Sequence, residues 1–283
     1  MSFSCSREDT GPQETIPDSG IVTFTAMTGQ GETRSSQEGS FETGDAIGVF
    51  AIEPKTGVYW AVNNKYTYDG QKFKPEAEAD NIIVTVGTDF DFYVYYPFKA
   101  GQTDITGISH TAGNQSDKPG WLSADFMTAT YTDPIRNYTV PLHFKHRMST
   151  VEVRIDRNDG VREATMENVR RTSRFNLLTG GITTDESRGS CTMHKYSETG
   201  GTTVFRVTIP AQRLTTSSNY VALTGTTGIK LRGTSDMVTE EGKIHNYRMD
   251  YKKQILSWIY PGRNHHRCGT CTIREATVRC RRA

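Results

Sequence analysis

Short apolar runs alternate with polar residues along this chain, and each run closes on Gly, Asp or Pro. Residues 47–52, 66–68 and 90–96 read this way, with Phe90, Phe92, Val94 and Tyr96 on one face, because successive side chains of a strand point to opposite sides. Asp69-Gly70 supplies a hairpin turn signal. Further strands are predicted over 21–26 and 82–86. The strictest alternation comes later: Val140, Leu142 and Phe144 against His143 and Lys145, then Val151, Val153 and Ile155 against Glu152, Arg154 and Asp156. A second set follows at 175–178, closed by Gly180-Gly181, and at 204–210, 220–223, 229–231 and 244–251. Phe205, Val207 and Ile209 share a face and are expected to meet Val151, Val153 and Ile155 in one core. Residues 163–171 have helical propensity, but so short a stretch without a good cap does not sustain a helix, and it reads as loop or strand. Residues 100–138 show little periodicity. A segment of that length is functional or a cover, and Trp121 with Phe126-Met127 is its means of attachment to a core. No period of about 20–50 residues recurs, which excludes a solenoid or propeller.

The pattern predicts an all-β protein of two tandem antiparallel β-sandwich domains. With 283 residues the chain exceeds the usual size of one domain, and the junction falls between the two strictest strand patterns. The expected division is a tether over 1–19, an N-terminal domain over 20–147, a C-terminal domain over 148–262 and a tail over 263–283. Hydrophobic residues make up 35% of the chain, enough for real cores. The mean hydropathy of −0.58 makes those cores thin. A net charge of +1 creates no field to attract nucleic acid. No apolar run approaches the roughly 20 residues that span a bilayer as a helix.

Candidate chemistry is sparse. The chain has no Gly-x-Ser-x-Gly elbow, His-Glu-x-x-His pair, phosphate-binding Gly-x-x-x-x-Gly-Lys-Ser/Thr or strand-borne Gly-x-Gly-x-x-Gly, so no catalytic residue is assigned and enzymatic turnover is not expected. A hydrolase would need two carboxylates converging in a cleft, which a sequence does not display. His143 and His146 lie three apart in an extended segment and so face opposite ways, a poor pair for one metal. Five cysteines occur, with Cys5 and Cys191 isolated and Cys268, Cys271 and Cys280 in the tail, which is no disulfide framework. His265-His266-x-Cys268-x-x-Cys271 has zinc-like spacing. A metal site needs folded neighbours, however, and the tail has six Arg and little to pack. It is read as a disordered basic tail without a metal.

Gly44-Asp45-x-Ile47-Gly48-Val49-Phe50-Ala51, then Tyr93-x-x-x-Pro97, then Asp125-Phe126-Met127, then Leu142-x-Phe144-x-His146-x-x-Ser149-x-Val151-x-Val153 occur in this order. This string resembles the fimbrillin family, the pilin subunits and related surface lipoproteins of Bacteroidetes, from about residue 21 to 258, and lapses in the tail. The resemblance implies transthyretin-like sandwiches and a pilus subunit at the cell surface. Cys5, after Met1-Ser2-Phe3-Ser4 and before a polar run, resembles a lipoprotein's acylated cysteine, which would tether the protein to the outer membrane and make the lipid its sole contact with the bilayer. Arg34, in the Gly/Ser/Gln-rich connector after the first strand, matches the arginine at which a trypsin-like protease cuts fimbrillins, after which a strand from the next subunit fills the vacated groove. Implied partners are other pilin subunits, that protease and a host or glycan ligand; no cofactor is implied. The alternative is a non-polymerising surface lipoprotein that binds glycan or host protein through aromatics such as Tyr59, Trp60 and Trp121, residues that read first as core.

Overall fold

The computed structural model describes residues 19–28, 41–156, 160–225, 229–250 and 255–258. Strands dominate. The first ten are β1 (Ser19–Ile21), β2 (Thr23–Thr28), β3 (Ala46–Ile52), β4 (Tyr59–Tyr68), β5 (Phe73–Pro75), β6 (Ile83–Thr85), β7 (Asp91–Tyr96), β8 (Ile108–Thr111), β9 (Met127–Tyr131) and β10 (Thr139–His146). Thirteen more follow: β11 (Ser149–Asp156), β12 (Glu163–Arg170), β13 (Thr172–Phe175), β14 (Ile182–Thr184), β15 (Arg188–Thr192), β16 (His194–Thr199), β17 (Thr202–Ile209), β18 (Arg213–Leu214), β19 (Tyr220–Thr224), β20 (Ile229–Gly233), β21 (Met237–Val238), β22 (Ile244–Asp250) and β23 (Ile255–Trp258). Among the described residues one α-helix, α1 (Lys118–Ser123), capped by Asp117, and one short 3-10 turn, Glu78–Asp80, interrupt them.

The all-β expectation holds, but the N-terminal sheet is not half of a sandwich. Its strands join into a closed barrel of order β10-β2-β5-β4-β3-β7-β9. Closure gives strand edges a partner that a two-sheet sandwich leaves open. Phe24, Val49, Phe73, Phe92, Val94 and Leu142 fill its interior, together with Phe90 and Tyr96. The expected shared face of Phe90, Phe92, Val94 and Tyr96 is therefore the inner one.

The barrel's outer wall is also covered. Five consecutive residues of β3, Ile47 to Ala51, are buried, a two-faced burial that a continuous apolar run announces. Phe50 and Tyr95 belong to a second core with Ile105, Ile108, Phe126 and Phe175. Phe126 stacks on Phe175 with ring centroids 4.1 Å apart. The aperiodic segment is thus a cover, attached as its aromatics predict. Trp121 is fully buried, stacked on His194 at 5.2 Å. Buried Gln115 binds the main chain of Thr208 at both ends, its Nε2 donating to Thr208 O (2.7 Å) and its Oε1 accepting from Thr208 N (2.8 Å).

The second core lies against a nine-stranded sheet of order β15-β12-β19-β20-β23-β22-β11-β17-β16. β11 pairs antiparallel with β17, Val151 opposite Val207 and Val153 opposite Phe205. All six residues expected to share this core do so. Residues 163–170 form strand β12. Its alternation is hidden in the sequence because Ala164 and Met166 are buried, then Val169, the phase being shifted by a bulge at which Asn168 adopts φ 61°.

Candidate functional site

The feature that bears on assembly is the place of β2 in the barrel. β2 runs parallel to β10, with Phe24 beside Val140 and Ala26 beside Leu142. On its other side it meets β5 antiparallel, Phe24 opposite Phe73. It is therefore the one strand that bridges β10 to β5, and without it the ring becomes an open sheet with a slot between those two. Phe24 is wholly buried, edge-on to Tyr66 (5.0 Å) and Phe92 (5.3 Å). Burial raises the Tyr66 phenol well above its ordinary value, so the slot wall is neutral at any physiological pH. Its hydroxyl accepts a hydrogen bond from Ile82 N at 3.3 Å. Ahead of β2, Val22 N donates to Ile82 O at 2.9 Å, and β1 pairs with β6.

Thr28, the last residue of β2, stands beside Phe144 in the ladder. Phe41, where the described chain resumes, packs its ring 5.0 Å from that of Phe144 and 4.9 Å from that of Phe73. The two described ends of the link between β2 and β3, Thr28 and Phe41, thus both lie beside Phe144. Arg34 belongs to that link; it, Cys5 and the His265-His266-x-Cys268-x-x-Cys271 run all lie outside the described residues.

The remaining candidates separate by burial. Trp121 is core, whereas Tyr59 and Trp60 are 45% and 58% exposed, contrary to their reading as core residues. They open β4, where Tyr59 is paired with Ile52 of β3 and the Trp60 ring lies 5.5 Å from that of Phe90. His143 faces outward on β10, while His146 Nδ1 pairs with Asp125 Oδ2. Among the described residues no group of three His, Cys, Asp or Glu side chains is placed to hold a metal ion. Cys191 is buried, and burial pushes its thiol up to about 11, which leaves it unreactive. No described helix is long and apolar enough to cross a membrane.

Two histidines make stability pH-dependent. Burial holds both His110 and His245 below the ordinary imidazole value of 6.5. His245 Nε2 accepts from Glu240 N at 2.9 Å, which requires the neutral ring. As pH falls below about 6.5 the unfolded chain binds protons that the folded protein resists, so stability falls on the acid side. The melting temperature is expected to drop between pH 7.5 and pH 5, with a smaller drop in His245→Gln. An identical drop in that variant would remove His245 from the account.

The fold and the place of β2 define a strand-built module closed by its N-terminal strand, and its relatives give the class. The fimbrillin-like family model matches residues 33–274. The chain belongs to the fimbrillin-like family. The match extends past residue 263, so the family pattern does not lapse where the tail begins. Among solved structures, a putative cell adhesion protein from Bacteroides ovatus aligns with a TM-score of 0.65 at 16% identity, covering 85% of this chain and 95% of that one. One from Bacteroides uniformis aligns with a TM-score of 0.58 at 19% identity, covering 82% and 95%. One from Bacteroides fragilis gives 0.55 at 12% identity, covering 87% and 99%. At these identities the likeness is one of fold. No curated protein matches the sequence.

Proposed function

We propose that this chain is a structural and adhesive subunit of a cell-surface fimbria, assembled by strand exchange at the β2 slot and working without turnover or cofactor. The observation that carries the reading is that, among the described residues, β2 alone bridges β10 and β5, while the described ends of its link to β3, Thr28 and Phe41, both lie beside Phe144. A trypsin-like cut after Arg34 leaves β1 and β2 held by non-covalent contacts alone. Their release opens a slot lined by Phe73, Phe92 and Leu142, and a strand from the next subunit restores both the main-chain ladder and the buried side chains. Family membership supports other pilin subunits as partners and the cell surface as location. The units proposed are 20–147 and 148–262, with 1–19 as a tether acylated at Cys5 in the outer membrane and 263–283 as a tail outside both.

The test has two arms. Brief trypsin treatment of the purified protein is expected to cut first after Arg34 and to yield concentration-dependent oligomers by light scattering, with Arg34→Ala remaining monomeric. In cells carrying the native export signal, Cys5→Ala is expected to move the protein out of the membrane fraction. A first cut within the sheets, or a cut protein that loses β2 yet stays a stable monomer, would defeat the strand-exchange reading. The second reading, a non-polymerising surface lipoprotein that binds glycan or host protein, draws on the exposure of Tyr59 and Trp60 and predicts that stable cut monomer.

A further inference from the structure

A cleft of about 280 Å³ opens between the end of β7 and strand β8, walled by Pro97, Phe98 and Lys99 on one side and Ser109 and Thr111 on the other. Its volume is at the lower bound for ligand pockets, about 300 Å³. A second hollow, beside Leu214 and Tyr247, has about 20 Å³, room for one water.

β8 is an edge strand. In the three-stranded sheet β14-β13-β8 it is laddered to β13 alone, with Ser109 opposite Arg174 and Thr111 opposite Thr172. Ala112 N donates to Arg171 O at 2.8 Å. Antiparallel ladders alternate residue by residue between bonded and non-bonded pairs. His110 and Ile108 therefore turn their main-chain groups to β13, and Ser109 and Thr111 turn theirs away. Lys99 Nζ donates to Ser109 O at 3.5 Å, which confirms that direction, places the edge in the cleft and leaves Ser109 N and the Thr111 main chain as its open groups.

The opposite wall is rigid. Tyr95 OH donates to Asn63 Oδ1 at 2.7 Å, and Asn63 Nδ2 donates to Lys99 O at 2.9 Å. Asn63 makes both bonds from a left-handed conformation, φ 58°. Gly48 lets the Tyr95 ring lie against its backbone, since a Cβ there would come within 2.2 Å of the ring. Lys99 is exposed and is the one Lys, Arg, Asp or Glu among the nine lining residues; His110 donates through Nε2 to Ala124 O at 3.0 Å.

We propose that this cleft is a peptide-docking site, in which an extended segment of another polypeptide adds to the β8 edge and places an acidic side chain against Lys99. Main-chain bonds to Ser109 N and Thr111 supply strand continuity, Pro97 and Phe98 take an apolar side chain, and Lys99 exchanges its bond to Ser109 O for one to the incoming carboxylate. The site is remote from the β2 slot in the strand order and requires no cleavage, so it operates on the intact subunit whether or not the strand-exchange reading holds.

The probe is a fluorescein-labelled heptapeptide of alternating Val and Thr with a central Glu, titrated against the intact protein by anisotropy and compared with the same peptide bearing a central Lys. Saturable binding of the Glu peptide with Kd below about 1 mM is expected, with the Lys peptide weaker by about fivefold. Ser109→Pro removes the outward N–H and leaves the bonds to β13 in place; it is expected to weaken binding about tenfold with the melting temperature unchanged. Ser109→Ala should bind as wild type. Lys99→Glu, an exposed substitution that does not threaten folding, is expected to reverse the preference between the two peptides. Failure of the Glu peptide to saturate, equal binding of both peptides, or no loss in both Ser109→Pro and Lys99→Glu overturns the proposal.

Discussion

Val153→Asp is expected to abolish cooperative folding of the nine-stranded sheet. Val153 is fully buried at the middle of β11, opposite Phe205 on β17 and beside Tyr247 on β22. Removing the valine forfeits about 1.5–3 kcal/mol of burial. The carboxylate that replaces it has no cation in that apolar layer and must be either desolvated as an ion or protonated, a further cost of several kcal/mol. The sum rivals the whole stability of an ordinary domain, about 5–15 kcal/mol. Calorimetry should show the major unfolding transition lost, or the protein recovered only as aggregate. Val153→Ala, which leaves a cavity without a charge, should retain the transition at a lower temperature. A Val153→Asp protein that melts within a few degrees of wild type would mean that β11 does not hold the centre of this core.

Phe24→Ala is expected to loosen the barrel at the strand on which the proposed assembly depends. A buried Phe truncated to Ala costs about 3–5 kcal/mol, and Phe24 has two edge-on aromatic partners, Tyr66 and Phe92, each adding about 0.5–1.5 kcal/mol beyond area burial. In a unit of this size the melting temperature should fall on the order of 10 °C. The N-terminal strand should also become accessible to protease before the other strands, because β2 meets β5 at a single residue pair, Phe24 with Phe73. Thr25→Ala, on the same strand but only half-buried, serves as the comparison and should change the melting temperature little. Equal stability in the two variants would show that β2 is not seated through Phe24.

Strands with one buried face were legible in advance. Val151-Val153-Ile155 and Phe205-Val207-Ile209 announce themselves because a period of two is imposed by the backbone, and they meet in one core as that period requires. β12 was ambiguous because a single extra residue at its bulge shifts the phase of burial between Met166 and Val169, and a phase shift looks like an absence of period. Trp60 and Trp121 could not be told apart by type. Trp121, on α1, stacks on His194 of β16, whereas Trp60, near the start of β4, stays exposed, a difference that lies in which elements pack over each.

By itself the chain's pattern determined the all-β class, the faces of its regular strands and, through the ordered motifs from Gly44 to Val153, its family. Those properties are local: side-chain alternation and turn chemistry act over a few residues. Tertiary structure alone decided that the first sheet closes, that β2 is the strand closing it, that Phe50 and Tyr95 carry the second core onto the barrel wall, and that β8 is left with a free edge beside Lys99. Each depends on pairings between segments far apart in sequence, such as β2 with β10, where the pattern of either strand fits several partners and only the packing of the whole selects one.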